Sequence, residues 1–459
     1  MPTLWTKLTA ALRAFDRSRA GNVAITFAIA TLPVIGAVGA AVDYSRANAV
    51  KAAMQAALDS TALMLARDAA TLTDTQLQTK ASSYFLAMFN RPEANTIAIS
   101  ASYSASGGSQ VTVNGQANVP TSIMNAVGYD HITVKGTATS KWGSERLRVA
   151  LALDNTGSMN DDGKMSALKS ATKNLLTQLK AAASTNGDVY VSIIPFARTV
   201  NVGTVNKNAA WLDWTDWNTM NGSCRNYGGR GTPSDKSSCQ NAGGNWTSSD
   251  KSNWNGCVGD RGDTSAPNSA NYDQNSTAPG TTTASKFPAW QDDPYCPVKM
   301  LGLTYDWTQL NNLVDTMQPA GGTNQPIGLV WGWHSLVGIG PLSAPAKDVN
   351  YKYSEYIILM SDGLNTIDRW YGNGSSVSSA VDKRMYDSTK NGSGTCANIK
   401  AAGIKIYAIQ VDTGGDGESQ IMKNCASSSD MFYRITKSGD LVSVFTAIGT
   451  NLTKLRVAK

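Results

Sequence analysis

The chain has 459 residues, 42% of them hydrophobic, and a formal net charge of +6: enough apolar mass for two or more cored domains and too much for global disorder. Its 40 lysines and arginines form no basic stripe interleaved with aromatics, which excludes a nucleic-acid reader. Two histidines and six cysteines with no Cys-x-x-Cys pair argue against a zinc site.

Residues 1–20 carry Lys7, Arg13, Arg17 and Arg19 against the single acid Asp16, a bias that keeps an N-terminus in the cytoplasm. The 22 residues from Gly21 to Val42 carry no charge. At about 1.5 Å rise per residue such a run crosses the roughly 30 Å hydrocarbon layer, so 21–42 is expected to be a transmembrane helix, with Pro33 in its middle. A cleaved signal peptide is the alternative; the apolar run is longer than the usual signal core and lacks a clear cleavage site. Everything after Asp43 then lies outside the inner face.

Beyond the membrane, ANAVKAAMQAALDSTALMLARDAA continues as helix, with Val50, Met54, Ala57, Leu58 and Leu65 as one stripe. A second helix is expected over 75–89. Alternating segments at 96–104, 110–119 and 132–139 read as strands, with a short helical piece near 123–127. Residues 43–145 therefore form a small pilin-like α+β region, a helix over an antiparallel sheet.

The texture changes after Trp142. LRVALALD (147–154), DVYVSIIPF (188–196), YSEYIILMSD (353–362) and IKIYAIQVD (404–412) are nearly continuous apolar runs, as expected of strands buried on both faces. Helices fall between them, at 164–183 and elsewhere. A closing helix at 439–455 aligns Leu441, Val444, Phe445, Ile448 and Leu452. The expected fold of 146–459 is α/β, a doubly wound and mainly parallel sheet. Residues 201–300 interrupt it. They are rich in Asn, Ser, Gly and Thr, hold six tryptophans, and carry Cys224, Cys239, Cys257 and Cys296. We read them as an insertion stapled by disulfides and aromatic rings, a candidate for recognition. Cys396 and Cys425 flank one strand and are the favoured remaining pair. The full connectivity stays open, and buried reduced thiols are the alternative.

In doubly wound sheets, ligand sites lie beyond the carboxyl ends of the strands. The first strand delivers Asp154, Thr156 and Ser158 in D-x-T-x-S spacing, with Gly157 permitting a tight turn. Asp362 ends another strand in ILMSDG, and Thr323 stands in the loop PAGGTNQP ahead of a helix. Three hydroxyls and two carboxylates form a hard-cation site suited to Mg²⁺, or Mn²⁺ or Ca²⁺. The bland alternative is a set of oxygens capping helix starts.

LALDNTGSM, GGTN and ILMSDGLNT, in that order, resemble the von Willebrand factor A domain, a Rossmann-like fold, with its metal-ion-dependent adhesion site. The resemblance implies Thr156, Ser158 and Thr323 as direct hydroxyl ligands and Asp154 and Asp362 as carboxylates acting mainly through water. The family more often has Ser at the position of Thr156; the hydroxyl is kept. The segment RSRAGNVAITFAIATLPVIGAVGAAVDYSRANAVKAAMQAALDSTALMLA resembles the TadE/TadG-like N-terminus of Flp (tight-adherence) pilus assembly proteins. Together the two imply the TadG-like layout: a bacterial inner-membrane protein with a single span, its bulk in the periplasm, linked to building or anchoring a pilus. Pilin-type segments cut after Gly commonly have Glu at the fifth mature residue; counted from Asn22, that position is Thr26.

The expected function is non-enzymatic. The A-type domain would grip a carboxylate of a protein partner, a component of the pilus machinery, through the cation. A large minor pilin or a surface adhesin is the alternative, and a metal-dependent hydrolase lacks an evident general base near the three motifs. Arg261-Gly262-Asp263 spells an adhesion tripeptide, expected to be chance in a polar loop. His334, Trp331 and Trp333 are expected to pack a helix rather than line a site, and His131 has no evident role.

Overall fold

The computed structural model describes residues 20–105, 108–142, 145–263, 274–290, 294–338, 342–349 and 351–457. The basic N-terminal residues Lys7, Arg13, Arg17 and Arg19, with Asp16, lie outside them. The chain divides into two compact units, Met1–Trp142 and Gly143–Lys459.

In the first unit one helix, α1 (Ala20–Ala66), runs unbroken from the apolar segment into the stripe beyond it, with Pro33 inside. Val50, Met54, Ala57, Leu58 and Leu65 are all buried, as their spacing requires. Helix α2 (Asp74–Met88) starts at a capping box in which Thr73 and Gln76 satisfy each other's backbone. Strands β1 (Asn95–Ser104), β2 (Ser109–Pro120) and β3 (His131–Trp142) form an antiparallel sheet in that order. Gly115 and Gly136 are paired across β2 and β3, and a Cβ at either would approach Leu58 to 3.0 Å or less. Glycine there lets helix and sheet close on one leucine, a burial that stabilises by about 1.5–3 kcal/mol. A side-chain amide engages the backbone of each edge strand: Gln78 donates to Ile99 O and accepts from Ala101 N on β1, and Gln55 donates to Thr137 O on β3.

The second unit centres on β4 (Glu145–Asp154), β5 (Val189–Phe196), β6 (Val200–Asn201), β7 (Cys257–Val258), β8 (Leu301–Thr304), β9 (Lys352–Ser361), β10 (Lys405–Val411) and β11 (Phe432–Ile435). The strand order is β7-β6-β5-β4-β9-β10-β11, with β8 also pairing β5. Pairs from β5 through β11 are parallel; β6 and β8 on β5, and β7 on β6, are antiparallel. Alternate residues of β4 go to opposite faces. Leu147, Val149, Leu151 and Leu153 pack with helices α3 (Lys164–Ala182), α4 (Trp307–Thr316) and α6 (Leu441–Val457). Ala150 and Ala152 pack with α5 (Gln325–Val337). The small alanines, with Gly328 and Gly332, let α5 lie close to the sheet: a Cβ on Gly328 would meet the Phe196 ring at 2.5 Å. That approach sets where the N-terminus of α5 falls.

Residues 201–300 differ from the excursion expected of them. Their strands β6 and β7 extend the main sheet, and Trp217, Trp254 and Phe287 are buried in the same core as Trp331 of α5. Low periodicity hid this because the burial comes from a few large rings rather than a repeating stripe. Three disulfides form, Cys224–Cys239, Cys257–Cys296 and Cys396–Cys425.

Candidate metal centre

Strand β4 is buried from Leu147 onward and ends at Asp154, whose carboxylate is fully shielded from solvent. Its Oδ1 accepts the Thr156 backbone N–H at 2.7 Å, and its Oδ2 accepts the Ser361 hydroxyl. The local turn then lifts Thr156 and Ser158 so that their hydroxyl oxygens stand 3.2 Å apart. The Ser158 hydroxyl donates to Asp362 Oδ1 at 2.7 Å, across 204 positions of sequence. Strands β4 and β9 are neighbours in parallel register, so both aspartates emerge at the same end of the sheet.

Thr323 reaches this end by backbone contacts. The Gly157 N–H donates to Gly321 O at 2.9 Å, and Ala320 N donates to Asn155 O at 2.7 Å, so the 319–323 loop lies on the 154–158 turn. Gly321 adopts φ +81°, a left-handed conformation that a side chain resists. The Thr323 backbone is pinned from the other side, its N–H on the Thr366 hydroxyl and its carbonyl accepting from Thr366 N and Ile367 N. All five residues singled out from the sequence thus belong to loops at one end of the sheet, and Ser158, Thr156 and Asp362 are in direct contact or one bond removed.

Burial, and then the negative charge of Asp362, push the Asp154 carboxyl up to about 7, against the pull of its hydrogen bonds from Ser361 and Thr156. Two shielded carboxylates side by side call for positive charge. Part of it comes from Lys164, which sequence reasoning missed. The buried Lys164 ammonium sits 2.7 Å from Asp362 Oδ2 and 3.1 Å from Ser158 O. Lys164 is the first residue of α3, whose first turn holds no acid. A cation at a helix N-terminus opposes the helix dipole. That local misfit was the available signal of a specific acidic partner. Gln325 was also missed: its Nε2 donates to Ser361 Oγ at 3.1 Å and to Gly363 O at 2.8 Å, tying the start of α5 to the end of β9.

The donor set fits a hard divalent cation. Every candidate group is an oxygen, only two are carboxylates, and one Lys against two buried aspartates leaves a negative remainder. No cluster of three or more His, Cys, Asp or Glu side chains suited to a metal occurs among the described residues, so the candidate set depends on hydroxyls beside its two carboxylates.

The insertion braces this end of the sheet. Asp260, just past β7, accepts from Asn324 Nδ2 at 2.9 Å and from Arg369 N at 3.1 Å, gripping the residue next to Thr323 and the loop that follows Asp362. Arg384 joins Asp260 to Asp368 at 3.2 and 2.5 Å, and Arg369 pairs with Asp216 at 2.8 Å. Arg261 is buried, donating to Thr277 O at 2.8 Å and facing His334 Nε2 at 3.2 Å, so its tripeptide presents no free guanidinium. His334 is enclosed by Phe287 and Trp331, and burial followed by the Arg261 charge holds its pKa well below the ordinary value. His131 is exposed and pairs with Asp130.

Residues 21–68 match the family model for Flp pilus-assembly TadE/G-like segments. No curated protein matches the chain. Among solved structures, the chain is similar to the pilus adhesin SpaC of Lactobacillus rhamnosus GG in its open conformation, at 13% identity and TM-score 0.33, over 80% of this chain and 35% of that one. It is similar to the von Willebrand factor domain of the type V pilus tip protein of Porphyromonas gingivalis at 10% identity and TM-score 0.35, over 68% and 96%. It is also similar to the proximal thread matrix protein of the mussel byssus, solved with a zinc-occupied metal-ion-dependent adhesion motif, at 10% identity and TM-score 0.30, over 66% and 47%. The chain spans 35% of the length of SpaC, and values this low transfer no function from any of the three. The N-terminal segment is thus similar to TadE/G-like pilus-assembly segments over residues 21–68, and its apolar helix is long enough to cross a membrane.

Proposed function

We propose that the protein is a membrane-anchored, non-enzymatic component of pilus assembly or anchoring, whose second unit is a doubly wound, von Willebrand A-like domain that binds a protein partner through a divalent cation. The observation that carries this reading is the 2.7 Å bond between Ser158 and Asp362, which joins two crossover loops at the carboxyl end of the sheet. Thr156, Ser158 and Thr323 would hold Mg²⁺ or Mn²⁺ directly, with Asp154 and Asp362 behind them through water. The ion would supply Lewis acidity toward a carboxylate of the partner. Lys164 holds Asp362 in place, and the Asp154 carboxyl, raised to about 7, would give up its proton as the cation binds. With α1 spanning the inner membrane and the N-terminus in the cytoplasm, the centre faces the periplasm. The alternative, a large minor pilin, is disfavoured by Thr26, which stands where pilin-type segments commonly carry Glu, and by the bulk of the second unit.

Titrating the detergent-solubilised full chain with Mn²⁺, and following loss of the free-ion paramagnetic signal, tests the centre directly. One saturable site is expected, lost in Ser158→Ala and Asp362→Ala. Cross-linking from the periplasmic side of intact cells, with and without Mg²⁺, tests the partner. A wild-type chain with no stoichiometric Mn²⁺ uptake removes the metal-dependent mechanism.

A further inference from the structure

The connection between β2 and β3, residues 121–130, folds back onto α1 at the very end of its apolar run. Asp43 is buried, and its carboxylate accepts three backbone N–H groups of this loop, from Ser122, Ile123 and Met124, each at 2.9 Å. Arg46 adds a bond to the Ser122 hydroxyl at 2.9 Å. One turn earlier, Gly39 lies under Ile123 so closely that a Cβ would meet its Cγ2 at 2.2 Å. The loop closes on itself through Thr121, whose N–H donates to Asp130 O at 3.0 Å and whose hydroxyl donates to Tyr129 O. Gly128, at φ +94°, ends its short helical turn.

The position of the loop is therefore fixed relative to the helix. Gly39 and Val42 belong to the uncharged run, and Gly39 to Asp43 is about 6 Å along the axis. The loop lies beside the last turn of the run rather than beyond it. From Thr121 to Tyr129 it contains no charged residue. Instead it turns outward Val127, 72% exposed, and Tyr129, 63% exposed, while α1 contributes Tyr44, 61% exposed. Ile35, Val38 and Val42, in the last turns of the uncharged run, are exposed as well. Tyrosines at the end of an apolar span favour the headgroup level, where the ring is shielded and the hydroxyl stays wet. Of the charges near that level, Asp43 is turned into the loop's N–H groups, Arg46 bonds the Ser122 hydroxyl, and Asp130, exposed and paired with His131, marks the polar edge of the loop.

We propose that residues 121–130 form a membrane-interface wedge, in which Val127 and Tyr129 dip into the headgroup and acyl boundary of the leaflet where α1 emerges. The wedge fixes the height and tilt of the first unit on the bilayer. This rests on α1 spanning the membrane, and the test separates the two.

All six native cysteines are in disulfides, so one added cysteine can be labelled selectively with an environment-sensitive fluorophore. Three variants of the full chain are reconstituted in phosphatidylcholine vesicles: Val34→Cys in the span, Val127→Cys in the wedge and Lys141→Cys at the far end of β3. The expected result is blue-shifted emission at positions 34 and 127, with quenching by nitroxide-bearing acyl chains and loss of iodide quenching, while position 141 stays open to iodide. A label at 127 as open to iodide as that at 141, with 34 protected, overturns the wedge and leaves the span intact. Protection at 127 without nitroxide quenching overturns it in favour of a protein contact there. A water-exposed label at 34 overturns the span itself.

Discussion

Two acidic clusters sit side by side in the second unit, and they are neutralised differently. In the brace around Asp260 and Asp368, every carboxylate oxygen has a donor. Arg384 and Arg369 supply guanidinium and backbone groups, Asn324 an amide, and Trp370 and Tyr371 their N–H groups. In the candidate metal centre every carboxylate oxygen also has a donor, but the donors are mostly neutral: Asp154 accepts the Thr156 N–H and the Ser361 hydroxyl, and Asp362 accepts the Ser158 hydroxyl and the Lys164 ammonium. The planar guanidinium of Arg384 pairs two carboxylates at once, whereas the ammonium of Lys164 reaches only Asp362; in both clusters one cation faces two carboxylates. The two clusters thus differ in the chemistry of their donors, guanidinium in one and mainly hydroxyl and N–H groups in the other, and only the second offers the hydroxyls that the proposed cation would use. Asn324, next to Thr323, belongs to the first and positions the second.

The sharpest way to break this contrast is to open the closed cluster. Arg384→Ala leaves Asp260 and Asp368 buried without their shared cation and is expected to lower unfolding free energy by about 3–5 kcal/mol, read from denaturant midpoints at constant slope. Removing the open cluster's ligand should behave otherwise. In the wild type, Mg²⁺ at a hundred times its dissociation constant is expected to stabilise the second unit by about 2.7 kcal/mol, and Asp362→Ala should abolish that increment in calorimetric scans. An equal Mg²⁺ increment in the variant would remove the distinction. Lys164→Met deletes the resident ammonium; tighter Mn²⁺ binding, by about tenfold, is expected together with a lower melting temperature of the metal-free protein. Weaker binding would mean that the ammonium helps to assemble the centre rather than compete for it.

The smallest effect is in pH dependence. Asp154, raised to about 7 in the folded chain from an ordinary 3.8, binds a proton more readily folded than unfolded. Its contribution is present below about pH 4 and is lost as pH rises toward 7, so the metal-free protein should lose stability across that window relative to Asp154→Asn. Saturating Mg²⁺ should flatten the difference. Asp412, at the end of β10, gives the opposite sign. Despite its burial, Arg434 and the N–H groups of Asp416 and Gly417 hold it below the usual carboxylate range. Its stabilisation is present at neutral pH and is lost as pH falls through its folded value.

Much of this was legible in the chain itself. The stripe from Val50 to Leu65, the apolar strands ending in Asp, and the closing helix with Leu441, Phe445 and Ile448 are periodic, and burial follows periodicity. The loops bearing Asp154, Thr156, Ser158, Thr323 and Asp362 were legible because a strand's carboxyl end is a fixed place in a parallel sheet. Residues 201–300 were not. Their contribution lies in isolated rings and in Asp260, whose partners Asn324, Arg369 and Arg384 are 64 to 124 positions away. No local pattern marks a residue for such a partner.

The sequence by itself determined which residues could form helices and buried strands, and that two carboxylates and three hydroxyls would stand at strand ends and loop starts. Those properties depend on neighbours within a few positions, through backbone hydrogen bonding and alternating burial. Only the tertiary structure decided that Lys164 would turn back onto Asp362, that Asp260 would brace the Thr323 loop, and that Asp43 would hold a connection 79 to 81 positions later against the end of the apolar helix. Each joins charged or polar groups whose partner is chosen by packing, since a buried charge must find whatever counter-group the fold brings within reach.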